Sequence, residues 1–278
     1  MTKRAAALAA YLIPVIACFA VFWPGLDCWF AQDDFAWLGL RYEIHDFAGL
    51  LKAMFEPKAQ GSIRPWSERV FFLGFHELFG MDALPYRLCV FATQMLNLLL
   101  LGRLAFVLER RYVAALFAPL LWGVNVALGV PLSWTSSYNQ ILCAAFLLCA
   151  LLLFIHYAQT GERKFYWAQF AIFVLGFGAL EINVAYPAVA FAYAFCYAPK
   201  RCLSTIPMGA VSAAYIGVHN HYAPKLQSGP YALHFDSSIL RTLLTYWSDA
   251  LGGSGLKPLD LPPWFKNLGA AAPFAITF

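Results

Sequence analysis

Charge is what this sequence has least of. Only 12% of its 278 residues are charged, while 61% are hydrophobic and 17% aromatic. An ordinary soluble domain carries about 25% charged residues. Too little polar surface remains to cover a water-soluble globule, and there is too much apolar content for disorder. The formal net charge is +4, but the cations form no dense stripe, which excludes a nucleic-acid surface. The seven cysteines form no disulfide framework. Cys18, Cys89, Cys143, Cys149 and Cys196 sit inside apolar runs, where a thiol behaves as a small hydrophobe. Cys28 and Cys202 fall near opposite ends of expected spans. The sequence has no P-loop, G-x-G-x-x-G, H-E-x-x-H or triad spacing, no internal repeat and no low-complexity tract.

What is present is apolar residues in blocks separated by short charged punctuation. That pattern predicts an all-α, polytopic transmembrane helical bundle. Seven spans are expected: Ala5–Trp23, Leu88–Leu108, Tyr112–Leu132, Ile141–Ala158, Phe165–Leu180, Ile182–Ala198 and Leu203–Val218. The first follows Lys3 and Arg4, but it is longer than the apolar core of a signal peptide and lacks a clean cleavage site, so it reads as a retained anchor. Ile239–Leu251 is apolar but short, as an interfacial or re-entrant helix would be. Phe265–Phe278 turns apolar and stops. The 278 residues therefore read as a single transmembrane domain cut from a longer protein.

Orientation follows from where Lys and Arg fall. With the N-terminus in the cytoplasm, Lys3, Arg4, Arg103, Arg110, Arg111, Arg163, Lys164, Lys200 and Arg201 are all on the inner side. The outer connections around Ser133–Gln140 and Glu181 carry no Lys or Arg. Trp23, Trp134 and Trp167 near span ends fit an interfacial belt. The first outer loop, residues 24–87, is long, whereas the inner loops are turns. Within it Ile44, Phe47, Leu50, Leu51, Met54 and Phe55 make one apolar stripe, with His45, Asp46 and Lys52 off it; this predicts an amphipathic helix on the membrane surface. Pro65 opens a second helix over Trp66–Phe79, with Arg69 and His76 on one face.

Candidate chemistry gathers on the outer side. Asp33 and Asp34 follow the first span closely. Paired carboxylates beside a bilayer are costly unless hydrated, paired or used, and repulsion between them suits one to act as a general base. The plainer reading is a helix cap. Arg64 opens the second helix against the macrodipole, so it serves either an anionic ligand such as a phosphate or an ion pair with a loop carboxylate. Glu181 is the only charge between Lys164 and Lys200, at an outer turn. Ser136 to Gln140 is an uncharged polar cluster in which Asn139 and Gln140 suit hydrogen bonds to a sugar or pyrophosphate, while Ser136 and Ser137 suit a helix start. His219 and His221 end the seventh span. An H-x-H pair suits a metal only with further ligands and, when charged, equally suits a phosphate; an interfacial loop role is the plainer one. His156 reads as structural.

Together these pieces resemble the GT-C class of integral-membrane glycosyltransferases, nearest its protein O-mannosyltransferase-like branch and that branch's tetratricopeptide-linked relatives. The likeness rests on Asp33-Asp34 after the first span and on Arg64-Pro65-Trp66 running through Leu78-Phe79-Gly80 to Tyr86, with Asn97-Leu98 beyond. It rests also on the polar start Tyr138–Gln140 and on Ala179-Leu180-Glu181-Ile182-Asn183 before Pro187. The resemblance implies a GT-C-like fold with juxtamembrane helices, and transfer of a sugar from a polyprenyl-phosphate donor to a hydroxyl of a protein, lipid or glycan acceptor. It implies Asp33 as the catalytic carboxylate with Asp34 beside it, and Arg64 and Glu181 near the lipid phosphate. Asn139, Gln140, His219 and His221 are the further substrate-binding candidates. No cofactor and no metal ligand set are expected, and the partners are the donor, the acceptor and the bilayer. The site would face the periplasm or exterior of a bacterial cytoplasmic membrane. A transporter, a lipid-linked polysaccharide ligase or polymerase, and a non-catalytic assembly subunit remain the alternatives.

Overall fold

The computed structural model describes residues 3–58, 61–222, 236 and 238–250. Among them the chain is 87% helical and forms no strand. Four helical stretches are long and apolar enough to cross a membrane: Arg4–Asp27, Ala83–Glu109, Thr135–Thr160 and Pro199–Tyr222. Their cores are α1 (Lys3–Phe22), α5 (Ala83–Glu109), α8 (Tyr138–Thr160) and α11 (Ile206–Tyr222). A fifth candidate is a broken span, α6 (Tyr112–Gly123) with the Val126–Ser133 stretch that ends in α7 (Gly129–Ser133), bent by 54°. Only 17% to 44% of each long window is buried. An apolar surface this exposed would aggregate in water, whereas in lipid it is solvated.

Two of the seven expected spans are shorter than anticipated. Helix α9 covers Arg163–Gly176 (14 residues) and α10 covers Tyr186–Tyr197 (12 residues). At 1.5 Å per residue each reaches about 20 Å, below the roughly 30 Å of a bilayer core. The apolar run continues between them, but it is spent on a tight turn at Phe177–Leu180 and a short 3₁₀ segment, Glu181–Ala185.

Packing is sequential. Helices α1, α5 and α6 pack together, α8 lies against α5 and α9, α10 packs on α8 and α11, and α11 meets α9. The second group shares a core of Ala150, Phe154, Phe173, Tyr186, Ala190, Ala194 and Met208. The long first loop sits on one end of the bundle, the loop face. The loop's own helices are α2 (Asp34–Gly39), α3 (Phe47–Phe55) and α4 (Phe71–Phe79), with a π-helical turn at Pro65–Val70. Tyr86 anchors this layer: Phe30, Phe71 and Phe75 surround its ring at 5.0 to 5.7 Å, and its hydroxyl donates to the Gly80 carbonyl. Phe71 also meets Tyr138 at 4.3 Å. Aromatic burial thus fixes the loop to the starts of α5 and α8.

The apolar stripe expected over residues 44–55 is divided between surface and core. In α3, capped by Asp46 on the Gly49 amide, Phe47, Leu50, Leu51 and Phe55 are exposed, while Met54 and the preceding Ile44 pack on the core. The short distal apolar stretch forms α12 (Ser238–Ala250), with no buried residue. The apolar run Phe265–Phe278 lies outside the described residues.

Candidate functional site

The acidic pair is built on a sharp turn. Gln32 takes a left-handed backbone (φ 49°), the chain reverses, and α2 begins. Neighbours on a helix point about 100° apart, so the two carboxylates part company. Asp33 is exposed; its backbone carbonyl accepts from Ala36 and Trp37, but its side chain makes no capping bond. Asp34 is fully buried. One of its oxygens accepts from the Ala31 amide (3.0 Å), the other from the Ser136 amide (2.6 Å) and the Ser136 hydroxyl. Asp34 therefore ties the acidic turn to the polar start of α8.

Arg87, in the first turns of α5, supports the same turn from beneath. It is fully buried and donates to the Cys28 and Trp29 carbonyls at 3.2 and 3.1 Å, within electrostatic reach of Asp34. Among the described residues one terminal nitrogen of Arg87 has no partner.

A second clasp links residues more than a hundred positions apart. Arg64 donates Nε and Nη2 to Glu181 (2.9 and 2.8 Å) and Nη1 to Glu68 (2.7 Å). Glu68 also pairs with Arg69, which is fully buried with its guanidinium 4.6 Å above the Trp37 ring. Burial works against the Arg64 charge, but the hydrogen bond it donates to Glu181 and the charges of Glu68 and Glu181 outweigh it, so its pKa rises. For Arg69 burial dominates and the pKa falls despite Glu68. The backbone is stitched at the same place: the Trp66 amide donates to Gly178, the Trp66 indole to Leu175 and the Ser67 hydroxyl to Ala179. Gly178 is required here, since a Cβ on it would lie 2.2 Å from the Trp66 ring.

These pieces wall one cleft of about 670 Å³, within the range of small-ligand sites. Asp33, Arg64, Glu68, Ser137, Asn139 and Gln140 supply its polar lining; Cys143, Ala144, Leu147, Leu180 and Ile182 supply its apolar lining. Arg64 and Arg69 balance Glu68 and Glu181, which leaves Asp33 as the uncompensated charge. After its three ion-pair bonds Arg64 retains one N–H on each terminal nitrogen.

Of the eight residues singled out from sequence, Asp33, Arg64, Asn139 and Gln140 line the cleft. Glu181 reaches it through Arg64, and Asp34 lies behind the wall. The histidines sit apart. His219 stacks on Tyr215, which stacks on Phe177 and lies within electrostatic reach of Glu181 and Arg64, while His221 is exposed against Tyr222. Among the described residues no three His, Cys, Asp or Glu side chains converge on a possible metal position. Sequence reasoning missed Glu68 and Arg87. Both carried a signal: Glu68 is an acid beside Arg69 in an aromatic segment, and Arg87 is a cation at the mouth of a span. No protein-family model, no curated protein and no solved structure matches this chain.

Proposed function

We propose that the cleft is the active site of a GT-C-like membrane glycosyltransferase, and that it takes a sugar carried on a polyprenyl phosphate. One observation carries the reading. Asn139, Gln140, Cys143, Ala144 and Leu147 line the cleft from a single stripe of α8, so its character changes from polar to apolar over about 12 Å of helix. A headgroup on an isoprenoid tail has the same profile: charge at the interface, hydrocarbon below. Ile182, at the cleft's edge, is 59% exposed, which supports entry of the tail sideways from the bilayer. With the loop face outward, as the Lys and Arg placement favours, the headgroup meets the cleft from the outer leaflet.

In this reading Asp33 accepts the proton of an acceptor hydroxyl while that oxygen bonds to the anomeric carbon. The bond from the anomeric carbon to the phosphate oxygen breaks, and the polyprenyl phosphate departs with the bonding pair. The two free N–H groups of Arg64 and the amides of Asn139 and Gln140 stabilise that developing charge. Asp34, saturated with hydrogen bonds, aims the turn rather than reacting.

The test is Asp33→Asn in proteoliposomes supplied with polyprenyl-phosphate sugar and acceptor. Loss of a general base costs about 10²–10⁴-fold in rate, so the variant should still bind donor yet transfer sugar that much more slowly. Transfer at the parental rate would remove Asp33 from the chemistry. Flux of intact substrate without transfer would point to the transporter instead.

A further inference from the structure

A second concavity of about 430 Å³ opens on the loop face, lined by Arg41, Tyr42, Ile44, His45, His76 and Glu77. We infer that it binds an uncharged, hydroxyl-rich chain, such as a segment of neutral glycan, laid end-on to the Asp33 cleft.

Position is the first argument. Asp33 and Trp37 line the cleft, and Arg41, four residues further on, lines this hollow. Helix α2 runs directly into the 3₁₀ turn Leu40–Glu43, so the eight residues from Asp33 to Arg41 span about 12–16 Å. The segment that ends in α4 walls both sites from the other side: Arg69 covers Trp37, and seven residues later the His76 ring meets Tyr42 at 6.4 Å. One extended ligand can follow this strip from hollow to cleft.

Chemistry is the second argument. Arg41 donates to Glu77, so the only full opposite charges lining the hollow cancel one another and leave little field to select an anion or a cation. Ile44 is the sole aliphatic side chain in the lining, too little for a hydrocarbon tail. Among the described residues no metal set converges. What remains is a phenol, two imidazoles and the outer edges of an ion pair, groups that both donate and accept. Tyr42 is 75% exposed and offers its ring as a platform for the apolar C–H face of a sugar. Many hydroxyls around a flat C–H face is the ligand this set recognises. That the bound chain serves as the sugar acceptor rests on the transferase reading; its binding does not.

The experiment uses the full chain in lipid nanodiscs, titrated with fluorescently labelled mannotriose, cellotriose and chitotriose, and separately with tripolyphosphate. At least one trisaccharide should bind saturably and tripolyphosphate should not compete. Tyr42→Ala and Glu77→Gln, both at exposed positions, should each weaken binding about tenfold, whereas Lys164→Gln, at an exposed position beside Glu162 and outside both sites, should bind as the parent does. No trisaccharide binding, displacement by tripolyphosphate, or binding that survives both substitutions overturns the inference. Parental transfer activity in Asp33→Asn, alongside intact trisaccharide binding, would sink the transferase reading alone.

Discussion

Replacing Glu68 with Leu isolates the charge clasp behind the cleft. The Glu68 side chain is 2% exposed and, among the described residues, is the only carboxylate bonded to Arg69, which also meets the Glu56 carbonyl at 3.5 Å and the Trp37 ring. Glu68→Leu therefore strands a fully buried cation. Arg64 loses one partner but keeps Glu181, so most of the cost falls on Arg69. Breaking a buried pair from one side costs about 3–5 kcal/mol, while replacing the whole pair with hydrophobes is often neutral. The structure thus predicts a loss of about 3–5 kcal/mol for Glu68→Leu, and recovery of most of it in Glu68→Leu/Arg69→Met. Steric-trap unfolding in micelles or bicelles reads both free energies. An unchanged Glu68→Leu, or a double variant no better than the single, would refute the reasoning that Glu68 is what compensates Arg69.

Gly178→Ala places a methyl group inside the Trp66 ring and should cost about 1–3 kcal/mol as overpacking; Trp66→Leu in the same chain should relieve it, read by the same unfolding assay. Asp34→Ala removes the acceptor of three hydrogen bonds in a buried position and should destabilise by about 1–3 kcal/mol, whereas Asp33→Asn, exposed and uncapped, should stay within about 0.5 kcal/mol of the parent. Equal losses for the two aspartates would erase the division of labour between them.

The helices long and apolar enough to cross a membrane were legible because composition and block length suffice to place them. The split between Asp33 and Asp34 was also readable in principle, since adjacent helical residues cannot share one face. What the sequence hid was pairing across distance. Arg64 was narrowed to a ligand or a carboxylate, but nothing local names Glu181, 117 positions away, as its partner. That contact exists because the Gly176–Leu180 turn lets Trp66 dock, a consequence of tertiary packing. The same turn explains why α9 and α10 are shorter than their apolar runs suggested: hydropathy counts residues but does not register a chain that stops being helical within an apolar stretch. The hollow at Arg41 was equally out of reach, because His45 and His76 belong to separate segments, joined in the fold by Arg41 on Glu77 and Tyr42 on His76.

The most direct test is photocrosslinking with a polyprenyl phosphate that carries a diazirine on its first isoprene units. After irradiation in proteoliposomes and peptide mapping, label should concentrate on the Asn139–Leu147 stretch of α8 and on Leu180–Ile182, and unlabelled polyprenyl phosphate should compete it away. Label scattered over the lipid-facing sides of α1 and α11, with no competition, would contradict the claim that this cleft holds a lipid-borne headgroup.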